Sequence, residues 1–285
     1  MHNLQSNNTQ SFSIGIDIGG TFTDIVVSIK NKGIISKKVN STPEDYSLAA
    51  ISGLSLIIKE NNLNPKNSIN FAHATTVATN TILEGKGAST ALITTSGFRD
   101  ILEFRRVRFP ELYNLQYKKP KPLIKRRYRY EISERLNARG KVKIPINEKE
   151  LKNIAKKLKN NNIQSVAICF LHSYLNPSHE VYAKEVLKKF LDNDTFICCS
   201  YEILPEIREY ERTSTTVVNA YLGPTIKRYL KKLSSRLDNL GINASRFIMQ
   251  SNGGQMTFED AIQFPAYLLE SGPAAGVVAA SELSK

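Results

Sequence analysis

The segment Gly15-Ile16-Asp17-Ile18-Gly19-Gly20-Thr21-Phe22-Thr23-Asp24 constrains the fold of this chain more than any other. The apolar run from Phe12 to Ile18 reads as a buried strand ending in Gly19-Gly20. Ile25 to Ile29, rich in β-branched residues, reads as the next strand. The glycines leave room for backbone to approach a ligand and can take positive φ. The N–H groups of such a turn point into one concavity and bind anions. Thr21 and Thr23 add hydroxyl donors. Asp17, and with it Asp24, offers oxygen to Mg2+, a metal that keeps much of its hydration. No Gly-Lys-Ser/Thr follows, so this is not a P-loop. The next element is a strand rather than a helix, so it is not the dinucleotide-binding turn either. A plain Gly-Gly hairpin has no use for the Thr and Asp residues set around it.

The rest of the chain supports an α/β reading. Gly33 to Val39 makes a third strand. Thr42-Pro43-Glu44-Asp45 is expected to start a helix, with Thr42 as cap and Asp45 answering it. Leu48, Ile51, Leu54 and Ile58 would form its buried face. Strands are expected at Ile69 to His73, Ser89 to Thr94, Val166 to Leu171, Phe196 to Cys199 and Phe247 to Gln250. Helices are expected from Asn147, with Leu151, Ile154, Ala155 and Leu158 inward; from Asn176-Pro177 to Leu191; from Ser214 to Leu240, with an irregularity at Gly223-Pro224; and from Ala274 to Ser284. Arg105 to Arg139 reads as an extended surface excursion. After an opening meander, strands alternate with helices, which implies a mixed sheet flanked by helices. His172 and His179 are given structural roles.

Composition excludes several classes. The formal charge of +13 is spread along the chain without a nucleic-acid-binding motif, so it reads as solvated Lys-rich helix faces rather than a nucleic-acid interface. The three cysteines, Cys169, Cys198 and Cys199, are odd in number and two are adjacent, which fits a reducing cytoplasm better than a disulfide framework. Met1 to Ser11 has neither a basic start nor an apolar centre, so no signal peptide is read there. No stretch approaches the ~18 apolar residues of a membrane span.

The strand–Asp-x-Gly-Gly-Thr–strand hairpin resembles the first phosphate loop of the actin, sugar-kinase and heat-shock-chaperone ATPase superfamily. Further segments narrow the resemblance. They are His73-Ala74-Thr75-Thr76-Val77-Ala78-Thr79-Asn80, Thr94-Thr95-Ser96-Gly97-Phe98-Arg99-Asp100, Pro110-Glu111-Leu112-Tyr113, Glu134-Arg135 and Leu171-His172-Ser173-Tyr174. Glu206-Ile207-Arg208-Glu209-Tyr210-Glu211-Arg212-Thr213-Ser214, Gln250-Ser251-Asn252-Gly253-Gly254 and Ser271-Gly272-Pro273-Ala274-Ala275-Gly276-Val277 complete the set. In this order the chain, from Ser13 onward, resembles the hydantoinase A/5-oxoprolinase family, which includes acetone and acetophenone carboxylase subunits.

The resemblance implies an actin-like ATPase fold and an enzyme that uses ATP and Mg2+ to phosphorylate a carbonyl oxygen. A cyclic amide such as a hydantoin, 5-oxoproline or another lactam is then opened by water. In carboxylase relatives a ketone is joined to bicarbonate instead. It implies Asp17, Glu209, Arg212 and Ser214 as catalytic residues, with Asp17 also on the metal. Gly19, Gly20, Thr21, Thr23 and Asp24 would hold the nucleotide. From their own position just past strands, His73, Thr75, Asn80, Ser251 and Asn252 are substrate-side candidates, and Arg105, Arg106 and Arg108 face either an anionic substrate or solvent. Residues 1–11 are expected to be disordered. Residues 12–200 would form an N-terminal domain with the first phosphate loop, and 201–285 the start of a second domain. The Ser271-to-Val277 segment resembles one that leads into a second phosphate hairpin, so the second lobe is expected to be incomplete. A hydantoinase B-type subunit and a missing C-terminal half are the expected partners, and the chain alone is expected to show little turnover. A sugar or small-acid kinase, or a non-catalytic remnant, are the competing readings.

Overall fold

The computed structural model describes residues 10–106 and 113–284. In chain order the first elements are β1 (Phe12–Ile18), β2 (Phe22–Ile29), β3 (Gly33–Asn40), α1 (Tyr46–Glu60), β4 (Ser68–Thr75) and α2 (Val77–Leu83). Then follow β5 (Thr90–Thr95), α3 (Ile101–Phe104), β6 (Arg129–Ile132), β7 (Arg135–Leu136), β8 (Val142–Ile144), α4 (Glu148–Asn160), β9 (Ser165–Cys169), α5 (Ser178–Phe190), β10 (Phe196–Cys199) and α6 (Ser200–Ile203). The last are α7 (Glu209–Asn239), β11 (Ser245–Met249), β12 (Gln255–Thr257), α8 (Phe258–Gln263) and α9 (Ser271–Leu283). Compactness divides the chain into Met1–Glu84 with Thr225–Lys285, and Gly85–Pro224. Of the segment expected to be disordered, residues 1–9 lie outside the described residues, as do Arg108 and the Pro110-to-Leu112 motif. Among the described residues no helix is long and apolar enough to cross a membrane.

The first unit holds a mixed sheet in the order β12-β11-β4-β1-β2-β3. β1, β4 and β11 run parallel, while β2, β3 and β12 pair antiparallel to their neighbours. Alternation decides the faces. Phe12, Ile14, Ile16 and Ile18 on β1, with Thr23, Ile25, Val27 and Ile29 on β2, are buried on one side. α1 lies so close to this side that a Cβ on Gly53 would meet Ile25 Cδ1 at 2.5 Å. The buried face of α1 is therefore Ala50, Gly53, Leu54, Ile57 and Ile58; of the expected inward residues Leu54 and Ile58 are buried, Ile51 is half-buried and Leu48 is 45% exposed. Small residues permit the close approach, and they carry little hydrophobic signal.

The start of α1 also differs from the sequence expectation. Asp45 N donates to Thr42 O at 2.9 Å and Thr42 Oγ1 donates to Asp45 O at 2.6 Å, so Thr42 to Asp45 is a turn and the helix begins at Tyr46. Asp45 is drawn away from capping by the far end of α7. Arg236 grips both its carboxylate oxygens at 3.0 Å, Lys232 donates at 3.2 Å and Ser47 at 2.6 Å.

The second unit is built on the all-parallel sheet β10-β9-β5-β6. β5 and β9 are buried along their full length, as sheets covered on both faces require. α4 and α5 pack here through Leu151, Ile154, Ala155, Leu158, Ala183 and Leu187. Asn147 caps α4 through Oδ1, accepting from Lys149 N and Glu150 N. The expected surface excursion is only partly such. Its end forms β6, where Arg129 is 2% exposed and donates to Ile124 O and Glu103. α7 starts at Glu209, earlier than expected, and runs through Pro224 unbroken. Glycine at 223 admits the Phe196 ring, which a Cβ would strike at 2.6 Å.

Burial alone would raise the Asp45 carboxyl pKa, but the Arg236, Ser47 and Lys232 hydrogen bonds outweigh it and hold it at about 2. A carboxylate depressed in the folded state contributes stability above its unfolded value, and loses it as pH falls from about 4 towards 2. Asp45→Asn is expected to cost on the order of 2 kcal/mol at pH 7. Urea denaturation at pH 7 and at pH 3 checks this: the gap between the two proteins should shrink at the lower pH.

Candidate phosphate site

The hairpin between β1 and β2 is tight. Gly19 N donates to Phe22 O at 3.0 Å, and a Cβ on Gly19 would sit 3.1 Å from that same oxygen. Among the described residues nothing accepts from the backbone N–H of Gly20 or Thr21. The turn is held from β3: Ser41 N donates to Thr21 O at 2.8 Å and Ser41 Oγ to Gly19 O at 2.8 Å. Thr23, expected on the nucleotide, is fully buried, with Oγ1 2.9 Å from Ser41 Oγ. It supports the turn from below.

Asp17, Asp24 and Lys38 are register partners across β1, β2 and β3, so their side chains share the open face of the sheet. Lys38 Nζ donates to Asp24 Oδ2 at 2.6 Å. Among the described residues Asp17 makes no such ion pair; partial burial, then the like charge of Asp24, raises its carboxyl pKa against a weaker opposing pull from Lys38. A carboxylate so placed favours a cation. Among the described residues no cluster of three His, Cys, Asp or Glu side chains offers a closed metal site. The donors fit a hydrated divalent ion held through one carboxylate and the phosphates it neutralises.

Three further chain segments reach the same sheet edge, two of them because β1, β4 and β11 are parallel and end together. After β4, Thr76 N and Oγ1 donate to Ile18 O at 3.1 and 3.3 Å. Asn80 Nδ2 donates to Thr76 Oγ1 at 3.2 Å and lies 3.7 Å from where a Gly20 Cβ would be. Asn80 thus borders the hairpin, on a short helix that the Thr-rich sequence did not announce. The start of α9 docks here as well: Ser271 Oγ donates to Thr75 O at 3.0 Å and Glu270 N to Thr79 Oγ1 at 3.2 Å. Its N-terminal dipole favours negative charge at this edge. After β11, Ser251 and Asn252 form an exposed turn, in which Asn252 Oδ1 accepts from Gly254 N at 2.8 Å.

His73 and Thr75 do not face this edge. His73 is 1% exposed; its Nδ1 donates to Ile16 O at 3.1 Å and its Nε2 accepts from Tyr229 OH at 2.5 Å. It joins the sheet to α7. Thr75 is fully buried, and its Oγ1 accepts from Val77 N at 3.2 Å. Both are framework residues. Lys38, Ser41, Thr76 and Ser271 were not among the expected site residues. Thr76 and Ser271 lay within motifs of the resemblance, and Lys38 could be found from the register counted back from the β2–β3 turn.

Glu209, Arg212 and Ser214 belong to the other unit, Gly85–Pro224. Arg212 is 1% exposed and donates through Nη1 to Glu206 O and through Nη2 to Phe170 O, each at 2.8 Å. Glu209 and Ser214 are half-buried on α7. Arg106 is paired with Glu211, and Arg105 donates to Pro120 O at 2.8 Å. His179 and Glu134 form a buried pair at 2.6 Å, as a structural role requires.

The first unit is a mixed sheet whose parallel strands end beside a Gly-Gly turn and the Asp17 carboxylate. The profile described as Hydantoinase/oxoprolinase N-terminal region matches residues 13–191, and that described as Hydantoinase/oxoprolinase matches 212–285. The chain belongs to the hydantoinase/oxoprolinase family. An uncharacterized protein of Methanocaldococcus jannaschii is 46% identical over 96% of the chain and 40% of its own length. The caprolactamase alpha subunit of Pseudomonas jessenii is 34% identical over 93% of the chain and 39% of its own length. The crystal structure of the ATP-dependent caprolactamase from that organism superposes with a TM-score of 0.82 at 32% identity, covering 95% of this chain and 40% of that one. Nucleotide-free acetone carboxylase shares the fold, with a TM-score of 0.86 at 23% identity, over 96% of this chain and 41% of that one. The chain therefore spans about two-fifths of the length of these relatives.

Burial holds the His73 pKa down at about 4, against the opposing pull of the Ile16 carbonyl. A histidine kept neutral by folding contributes stability above its unfolded value near 6.5, and loses it as pH falls towards 4. The loss is on the order of 3 kcal/mol. His73→Gln should flatten the stability profile between pH 6.5 and 4, as read by urea denaturation across that window.

Proposed function

We propose that this chain supplies the phosphate-binding hairpin of an ATP- and Mg2+-dependent hydrolase that opens a cyclic amide. The observation that carries the reading is the Gly19–Thr21 turn, whose Gly20 and Thr21 amides have no acceptor among the described residues, beside an Asp17 carboxylate that makes no ion pair and feels Lys38 only at a distance. Bound ATP would supply the phosphoryl group that turns a poor amide electrophile into one water can attack. The chain's own part is to bind and orient. Gly20 and Thr21 N–H groups meet phosphate oxygens, Asp17 holds the hydrated cation, and Ser41 and Thr23 keep the turn in shape. Asn80 and the start of α9 close one side. Such preorganised donors act without reorganising when charge develops.

The caprolactamase relative supports a lactam over a ketone as substrate, and its designation as an alpha subunit supports a B-type partner chain. The sequence contains Asp-x-Gly-Gly-Thr once, so in this reading a second phosphate hairpin comes from the remainder of the assembled enzyme. A cytosolic setting fits three free, buried cysteines. Glu209 and Ser214 enter the reading as substrate-facing residues of the second unit. Arg212 enters as the guanidinium that holds the start of α7.

Binding of a fluorescent ATP analogue to the purified chain tests the proposal. Affinity should depend on Mg2+, and Asp17→Asn should lower it roughly 10- to 100-fold. Affinity that ignores both Mg2+ and Asp17→Asn would count against it. With the partner subunits restored, ADP release on adding 5-oxoproline, hydantoin or caprolactam marks the hydrolase. Release only with a ketone and bicarbonate marks the carboxylase.

A further inference from the structure

We infer that Lys38 is a mobile cation, one that leaves Asp24 for the phosphates of a bound nucleotide and so releases Asp24 to the hydrated divalent ion. The inference rests on the nucleotide reading of the Gly19–Thr21 turn and names the residue that answers the phosphate charge.

Register places the group. Lys38 on β3 stands directly opposite Asp24 on β2, and Asp24 stands opposite Asp17 on β1. Phe22 is two residues nearer the turn and shares their face of the sheet, because Thr23 between Phe22 and Asp24 points into the core. Lys38 does not stand straight across from its own partner. Its Nζ donates to Asp24 Oδ2 at 2.6 Å and lies 5.3 Å from the centroid of the Phe22 ring. A long side chain reaches such a diagonal neighbour across an antiparallel pair. Phe22 is the first residue of β2, and its carbonyl accepts from Gly19 N in the turn. The ammonium is therefore displaced from its register position towards the Gly-Gly turn.

Charge makes Lys38 the group that moves. Two carboxylates, Asp17 and Asp24, share this face with one ammonium. A nucleotide adds further negative charge at the turn. The other lysines of the β2–β3 hairpin are committed elsewhere. Lys37 pairs with Glu60 at 2.6 Å, and Lys30 and Lys32 lie at the far end, between β2 and β3. The Lys38 and Asp24 side chains are 57% and 46% exposed, so their bond costs little to break. A phosphate oxygen is a strong acceptor for an ammonium. The flexible lysine stem follows it while the backbone stays in place.

The move also changes what Asp24 can do. It loses its cation at the position where it neighbours Asp17 in register. A magnesium ion that keeps its waters is held through one or two carboxylates and the phosphates it neutralises. While Lys38 is on Asp24, one carboxylate is open to the ion; after Lys38 moves, both are. Nucleotide and cation then favour the same arrangement, and each strengthens binding of the other.

Calorimetric titration of the full chain with ADP, with and without Mg2+, tests the inference. Lys38→Met should weaken binding of ADP with Mg2+ roughly ten-fold, and Lys38→Arg should restore most of it. The decisive comparison uses an Asp24→Asn background. Lys38 has no carboxylate to neutralise there, yet Lys38→Met should still weaken binding roughly ten-fold. Loss of the effect in that background would show that Lys38 only offsets Asp24, and would overturn the inference. An affinity unchanged by Lys38→Met, but weakened by Asp17→Asn and by removal of Mg2+, overturns it too and leaves the nucleotide reading standing. Binding that ignores Mg2+ and Asp17→Asn overturns both.

Discussion

The candidate phosphate site depends on the parallel register between β1 and β4. Ile18, the last residue of β1, accepts from both Thr76 N and Thr76 Oγ1 just past the end of β4. That junction ties the Gly-Gly turn to α2, sets Asn80 against Gly20 and gives α9 the Thr75 carbonyl to dock on. Parallel strands must end on the same side, so segments far apart in sequence meet without any side chain having to reach. The buried His73 reinforces the register from within the sheet, through Ile16 on one side and Tyr229 on the other. A polar group so deep is tolerated because both ring nitrogens are satisfied.

The two units treat charge differently. On the open face of the first, Asp17, Asp24 and Lys38 sit in register and stay in contact with water, so Lys38 is bonded to Asp24 and acts on Asp17 only through space. In the second, cations are driven into the interior. Arg129 and Arg212 are almost wholly buried and held by backbone carbonyls. A surface ion pair costs little to rearrange when a ligand arrives. A buried guanidinium is fixed by the fold, and any donor it leaves over points at a defined place.

Much of this was legible in the residues. The strand–Asp-x-Gly-Gly-Thr–strand pattern gave the hairpin, and the stripe Leu151, Ile154, Ala155 and Leu158 behind Asn147 gave α4, because both signals are local. What failed was set by distant partners. Leu48 looked inward by its spacing, yet α1 is turned by the close packing of Gly53 on Ile25. Thr42 looked like a cap, but Arg236, far along the chain, holds Asp45 elsewhere. His73 and Thr75 looked like polar site residues because they end a strand, yet Tyr229 takes up the His73 ring and Val77 N the Thr75 hydroxyl. Arg212 was expected to be catalytic by resemblance, and its burial on the Glu206 and Phe170 carbonyls depends on segments that its own neighbours in sequence do not reveal.

The central claim is that Gly20 and Thr21 keep their amides free for phosphate. The direct measurement is the 1H–15N spectrum of the chain on adding Mg2+ and ADP. The largest shifts should fall on Gly19, Gly20 and Thr21, with smaller ones at Thr76 and Ser271. Nucleotide binding that leaves these amides unmoved, and shifts others, would contradict it.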